Sequence, residues 1–210
     1  KGPGIVRGID SEFSLNEILK NWEEKKTKVI LGGSFISKFQ ADDSPDLNLP
    51  QNVGAYSLRS NITRGKVAVN AEYAYKINDP STDNGLIYKP GQAFYLTSNY
   101  SKKGFGIDAT FRRLENMSFF SERGAKGNNF NDKIMNFIPS LTKQQHYNLA
   151  NIYVYQAQPS VFLADQDLVK AGEMGGQIDV FYDIKKGTAL GGKNGMKIAV
   201  NASNWNALSG

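Results

Sequence analysis

Polar and apolar residues alternate along most of this chain. The alternation is clearest over 66–77, where Val67, Val69, Ala71, Tyr73, Tyr75 and Ile77 point one way and Lys66, Ala68, Asn70, Glu72, Ala74 and Lys76 the other. A helix would mix these two sets, whereas a strand separates them. The same rule predicts about nine strands, at 5–15, 28–40, 55–63, 66–77, 92–101, 105–113, 146–156, 177–185 and 196–205. Most exceed the ~5–6 residues of an ordinary strand. One short helix is expected at 15–22, where Leu15, Ile18, Leu19 and Trp22 share a face.

Two hairpins test this reading. With Arg64-Gly65 as a two-residue loop, Ile62 faces Val67, Leu58 faces Ala71 and Tyr56 faces Tyr73, while Arg59 meets Asn70 and lies diagonal to Glu72. With Lys102-Lys103 as the second loop, Tyr100 faces Phe105, Leu96 faces Ala109 and Phe94 faces Phe111. A slip by one residue would scramble both faces of either hairpin.

The connections then differ in length. Tight turns at 64–65 and 102–103 are separated by long loops at 41–54, 78–91 and 114–145, with 157–176 as an exception on the short side. Short turns at one end and long loops at the other mark outer-membrane barrels. Tyrosines near strand ends (Tyr73, Tyr75, Tyr95, Tyr100, Tyr153, Tyr155, Tyr182) suit the aromatic girdles of such barrels. A β-sandwich also has one apolar and one polar face, but strand length, turn asymmetry and aromatic placement favour an antiparallel up-and-down transmembrane β-barrel. The 210 residues read as one domain, 1–210, incomplete as a barrel: about nine strands is odd, and single-chain bacterial barrels have even numbers.

Composition changes the picture little. Lys and Arg total 25 against 20 for Asp and Glu, and the excess is scattered along the sequence without forming a stripe, so nucleic acid is not an expected partner. There is no Cys and one His, His146, which removes disulfides, thiolate sites and multi-His metal sites. No stretch approaches the ~20 apolar residues of a membrane helix, but barrel strands need only ~9–11.

Four segments carry a resemblance: Leu31-Gly-Gly-Ser-Phe-Ile-Ser-Lys-Phe-Gln40, Leu49-Pro-Gln-Asn-Val-Gly-Ala-Tyr56, Glu72-Tyr-Ala-Tyr-Lys-Ile-Asn-Asp-Pro-Ser81, and the stretch from Arg113-Leu-Glu-Asn-Met-Ser118 to Pro139-Ser-Leu-Thr-Lys-Gln-Gln-His-Tyr-Asn-Leu149. They resemble an uncharacterised family of outer-membrane barrels from Bacteroidota. The resemblance implies a longer parent chain and a Gram-negative outer membrane, and brings no catalytic residues.

Motifs of enzyme chemistry fail on context. Gly187-Thr-Ala-Leu-Gly-Gly-Lys-Asn194 is close to a phosphate-binding loop, but Asn194 replaces the hydroxyl and a strand follows where a helix is required. Gly104-Phe-Gly-Ile-Asp-Ala109 fits a dinucleotide fingerprint but opens a strand. The acidic stretches at 42–46 and 79–85 read as solvated loops, with Ca²⁺ as the alternative. His146 has no nucleophile elbow beside it, and Glu23-Glu24 form a solvated charge cluster.

The expected function is therefore a non-enzymatic outer-membrane barrel without cofactor or metal, acting as a channel or as a subunit of a larger envelope assembly, with outer-membrane lipid and envelope proteins as partners. The alternative is a soluble envelope β-sandwich that binds a ligand such as a glycan. Arg59, Glu72, Lys76, Asp108 and Arg112 are the lumen-facing candidates, with Asp179, Asp183 and Lys185 on or near the same face. Val67, Val69, Tyr73, Phe105, Ile107 and Phe111 are the lipid-facing candidates. In the long loop, Phe119, Phe120, Arg123, Lys126, Phe130 and Phe137 are candidates for a surface contact, and its apolar residues are expected to fold inward as a plug or pack on a partner.

Overall fold

The computed structural model describes residues 5–22, 24–42, 46–80, 86, 88–117, 119 and 170–209. Eight strands form one antiparallel sheet in which each pairs with its sequence neighbours. They are β1 (Ile5–Ser14), β2 (Thr27–Phe39), β3 (Asn52–Arg64), β4 (Val67–Lys76), β5 (Gly91–Lys102), β6 (Phe105–Glu115), β7 (Lys170–Ile184) and β8 (Met196–Ser209). β1 and β8 are the two edges, so the sheet is open among the described residues. The expected helix is two separate turns, α1 (Leu15–Ile18) and a 3-10 turn at Lys20–Trp22, because Leu19 is extended at φ −98 and ψ 99.

Both hairpins differ from expectation by an even step. The turns are Gly65-Lys66 and Lys103-Gly104, so Ile62 meets Val69, Tyr56 meets Tyr75, Tyr100 meets Ile107 and Asn99 meets Asp108. Glycine explains the second shift, since Gly104 has a left-handed φ of +78 that places it in the turn; Gly65, at φ +59, lies in the first turn under either register. Each partner moves by two positions, so every side chain keeps its face.

The strand expected at 146–156 lies outside the described residues, so the count here is eight and the odd-number argument for an open sheet lapses. β6 pairs directly with β7. This removes the exception at 157–176: residues 170–176, expected in a loop, belong to β7, and 116–169 join β6 to β7 at the long-connection end, while 15–26 and 185–195 at the other end are about as long as 40–51. The long-connection end carries 40–51, 77–90 and 116–169, while the other carries 15–26, 65–66, 103–104 and 185–195.

The two faces divide as the alternation requires, but burial is inverted relative to a water-soluble sheet. On the apolar face Ile9 is 70% exposed, Leu58 69%, Val200 59% and Tyr182 51%. Apart from Val29, the buried side chains of the strands lie on the other face, most of them towards its long-connection end, where Lys38 and Lys76 are at 0%. Segments from the long connections cover that end. Asp79 and Pro80 are buried, and Phe119 packs with Ile36, Val53 and Ala55. Met117 packs against Ala74, Ala93 and Leu114.

One close approach sets this cover. A Cβ at Gly91 would lie 2.2 Å from the backbone carbonyl oxygen of Asn116. Gly91→Ala should therefore destabilise the chain by about 1–3 kcal/mol, the usual cost of overpacking. A denaturant titration showing no change would mean that Asn116, Met117 and Phe119 turn inward for another reason.

Candidate functional site

The polar face carries a row of alternating charge across six strands. Pairing register aligns Glu12 with Gly32, Arg59, Glu72, Tyr95, Arg112, Gly175 and Trp205. Two glycines give the large side chains room. The Arg59 guanidinium lies over Gly32, where a Cβ would sit 2.8 Å from Nη2. It reaches Asp10 at 2.9 Å and Glu12 at 3.9 Å, and donates to Ser34 Oγ, whose own hydroxyl donates to Asp10. Arg112 stacks over the Trp205 ring at 5.1 Å, and that ring crosses Gly175. Glu72 is buried directly opposite Arg59. Charges of both signs thus share one face, which limits the cost of placing them there.

Towards the short turns the same face is mostly amide, hydroxyl and carboxylate, with Phe181 exposed among them. Asn70 donates to Thr97 at 3.1 Å, Asn99 donates to Asp108, and Asn201 and Gln177 donate to Asp179 at 2.5 and 2.6 Å. Towards the long connections the face closes. Lys38 Nζ donates to Asp79 Oδ2 at 2.6 Å with both residues buried, and Phe119 lies over the ammonium at 5.2 Å.

The apolar face carries aromatic pairs near both ends, Tyr56 with Tyr75 at 5.4 Å, and Tyr100, Phe105 and Tyr182 in a chain at 6.1 and 6.3 Å. A groove of about 420 Å³ crosses it, floored by Gly33, Ser60 and Ala71 between Phe13, Leu58, Tyr73 and Phe94.

A family model spans residues 1–210. The chain belongs to DUF6029, a family of unknown function. No curated protein and no solved structure matches it.

In this DUF6029 chain Arg59, Glu72, Lys76, Asp108 and Arg112 share the polar face with Asp179 and Asp183, while Val67, Val69, Tyr73, Phe105, Ile107 and Phe111 share the apolar one. Lys185 falls beyond β7, in the connection to β8. Of the long-loop candidates Phe119 is buried against the polar face; Phe120, Arg123, Lys126, Phe130 and Phe137 lie outside the described residues, as do His146, Tyr153 and Tyr155. Tyr95 is not on the apolar face, because Phe94 and Leu96 occupy it on either side. Asp79 is not part of a solvated loop; it turns inward to Lys38. Asp42 accepts the amide of Leu49 at 2.9 Å and so closes its own connection. The 187–194 segment joins two strands, and its Gly187 and Gly192 amides are spent on carbonyls of the same loop at 2.7 and 3.0 Å.

Sequence reasoning missed Lys38, Asp10, Glu12 and Trp205. All four have the parity of the polar face, and that parity was the available signal.

Sequence reasoning also treated the positive charge as scattered, whereas the fold gathers it. Alternate connections of an up-and-down sheet return to one end, and each short-end connection, with the strand end beside it, carries a cationic pair: Lys25 and Lys26, Arg64 and Lys66, Lys102 and Lys103, Lys185 and Lys186. All eight side chains are exposed. Among the described residues none has a carboxylate within salt-bridge distance. Glu17, Glu24 and Asp183 are the described acids near them.

Proposed function

We propose that this chain forms part of an outer-membrane β-barrel of a Gram-negative bacterium, without enzymatic activity, and serves as a channel or as a subunit of a larger envelope assembly. One observation carries the reading. The large apolar side chains of a single sheet are exposed on one face, while the charged residues of the other face are paired and partly buried. In water that arrangement forfeits the hydrophobic effect. In a bilayer it puts apolar surface against lipid and charge against a wet interior.

The aromatic pairs near both ends of the apolar face support the same environment, and so does the resemblance to barrels of Bacteroidota. The open edges β1 and β8 are where further strands would join, from the same polypeptide or from a partner. A soluble sandwich would need a second sheet over the apolar face, and the eight described strands form one sheet.

The chain should fractionate with the outer membrane and stay in solution only with detergent. Full solubility without detergent would overturn the proposal. Discrete conductance steps in a planar bilayer are expected of a channel, and silence in the same assay with intact insertion assigns the scaffold role.

A further inference from the structure

The four cationic pairs recur along the chain at the spacing of successive hairpins, so the strand order alone brings them to one end of the sheet. They sit at the border of the exposed apolar face, and aromatic rings stand beside them. Lys25 lies over Trp22 at 4.7 Å and Lys102 over Phe105 at 5.6 Å, and Phe105 continues to Tyr100 and Tyr182. The opposite end is mixed in sign: its described connections carry Asp42 and Asp46 but also Lys89, and its Asp79 is neutralised by Lys38.

A free polyanion would require the cations but not the apolar and aromatic surface that adjoins them. A lipid requires both, phosphate at the level of the cations and acyl chains along the apolar strands. Long basic side chains suit that border because their stems lie on apolar surface while their heads reach the headgroups. We propose that the short-turn end is a docking surface for the phosphates of anionic phospholipids in the leaflet that it faces. This rests on the barrel reading, in which short turns face the periplasm.

The test uses the full chain, unfolded in urea and presented to vesicles of phosphatidylcholine alone or of phosphatidylcholine with phosphatidylglycerol. Insertion is read by protease protection and resistance to alkaline extraction. Phosphatidylglycerol should lower the lipid concentration needed for half-maximal insertion by about tenfold or more, an advantage that added salt removes. A variant carrying Lys66→Gln, Lys102→Gln, Lys103→Gln and Lys186→Gln should insert into phosphatidylcholine like the parent and lose the advantage. Equal insertion of the parent into both vesicles, or an advantage that the variant keeps, overturns the headgroup surface and leaves the barrel standing. Salt-reversible adhesion to anionic vesicles with no insertion into either kind supports the basic surface and overturns the barrel. Binding of soluble polyphosphate to the detergent-held chain as tightly as phosphatidylglycerol assigns the surface to a free polyanion and overturns the proposal.

Discussion

Arginine in place of Leu58 should cost about 2–4 kcal/mol of stability in a bilayer, and Val69→Arg and Ile107→Arg similar amounts where they lie near the midplane. All three side chains belong to the apolar face, and Leu58 is 69% exposed on it. Exposure makes Leu58 the sharpest probe. At an exposed position in water such a substitution changes stability by about 0.5 kcal/mol or less, because nothing is desolvated and no packing is lost. In lipid the same position must bury a guanidinium or thin the bilayer around it. Asn61→Arg is the control: Asn61 is exposed too, but it faces the polar side opposite Asn70. The expected result is a loss for Leu58→Arg and little change for Asn61→Arg in urea titrations of vesicle-inserted protein. Equal and small effects would argue that the apolar face does not meet lipid.

The face assignment was legible in the sequence for a simple reason. A strand's period of two survives any even slip, so misplacing both turns by one residue left Val69, Ile107 and Glu72 on their proper sides. The exact turn was also within reach, since only glycine sits comfortably at the φ of +78 that Gly104 adopts. Tyr95 was misassigned by residue type where parity was the better guide: with Phe94 and Leu96 on the apolar face it had to point the other way.

Other features needed the fold. The charge excess looked scattered because paired cations lie a hairpin apart in the chain, and only the strand order collects them. Lys38 had the right parity for the polar face, but its burial depends on Asp79, 41 positions away in a long connection. No local periodicity reports which loop residue returns to cover which strand. The row from Glu12 to Trp205 likewise depends on register across every pair of neighbours, which hydrophobic patterning restricts but does not specify.

The Lys38–Asp79 pair should carry the largest single effect. Both side chains are buried, at 0% and 2% exposure, and the ammonium and carboxylate are 2.6 Å apart. Removing one partner of such a pair leaves the other charge in low dielectric, at a typical cost of about 3–5 kcal/mol. Asp79→Leu is the worse of the two deletions, because Lys76 also feels both Asp79 and Lys38, and losing the carboxylate leaves two cations facing each other. Lys38→Met should cost less, since Lys76 still opposes Asp79. The double variant Lys38→Met/Asp79→Leu should recover part of the loss, because an apolar pair of similar volume replaces these two charges and removes the repulsion between Lys38 and Lys76, although the buried Lys76 still loses the Asp79 carboxylate. A double-mutant cycle in urea measures this coupling, and independent, additive losses would contradict it. The consequence reaches the cover of the polar face, because Asp79 anchors the segment after β4 and Phe119 rests on the same ammonium. Amide exchange at 77–79, 116, 117 and 119 should therefore quicken in Asp79→Leu by more than it does in β4 and β6, and slow again in the double variant. Uniform exchange changes across the sheet would mean that the pair stabilises the strands at large and does not fasten the cover.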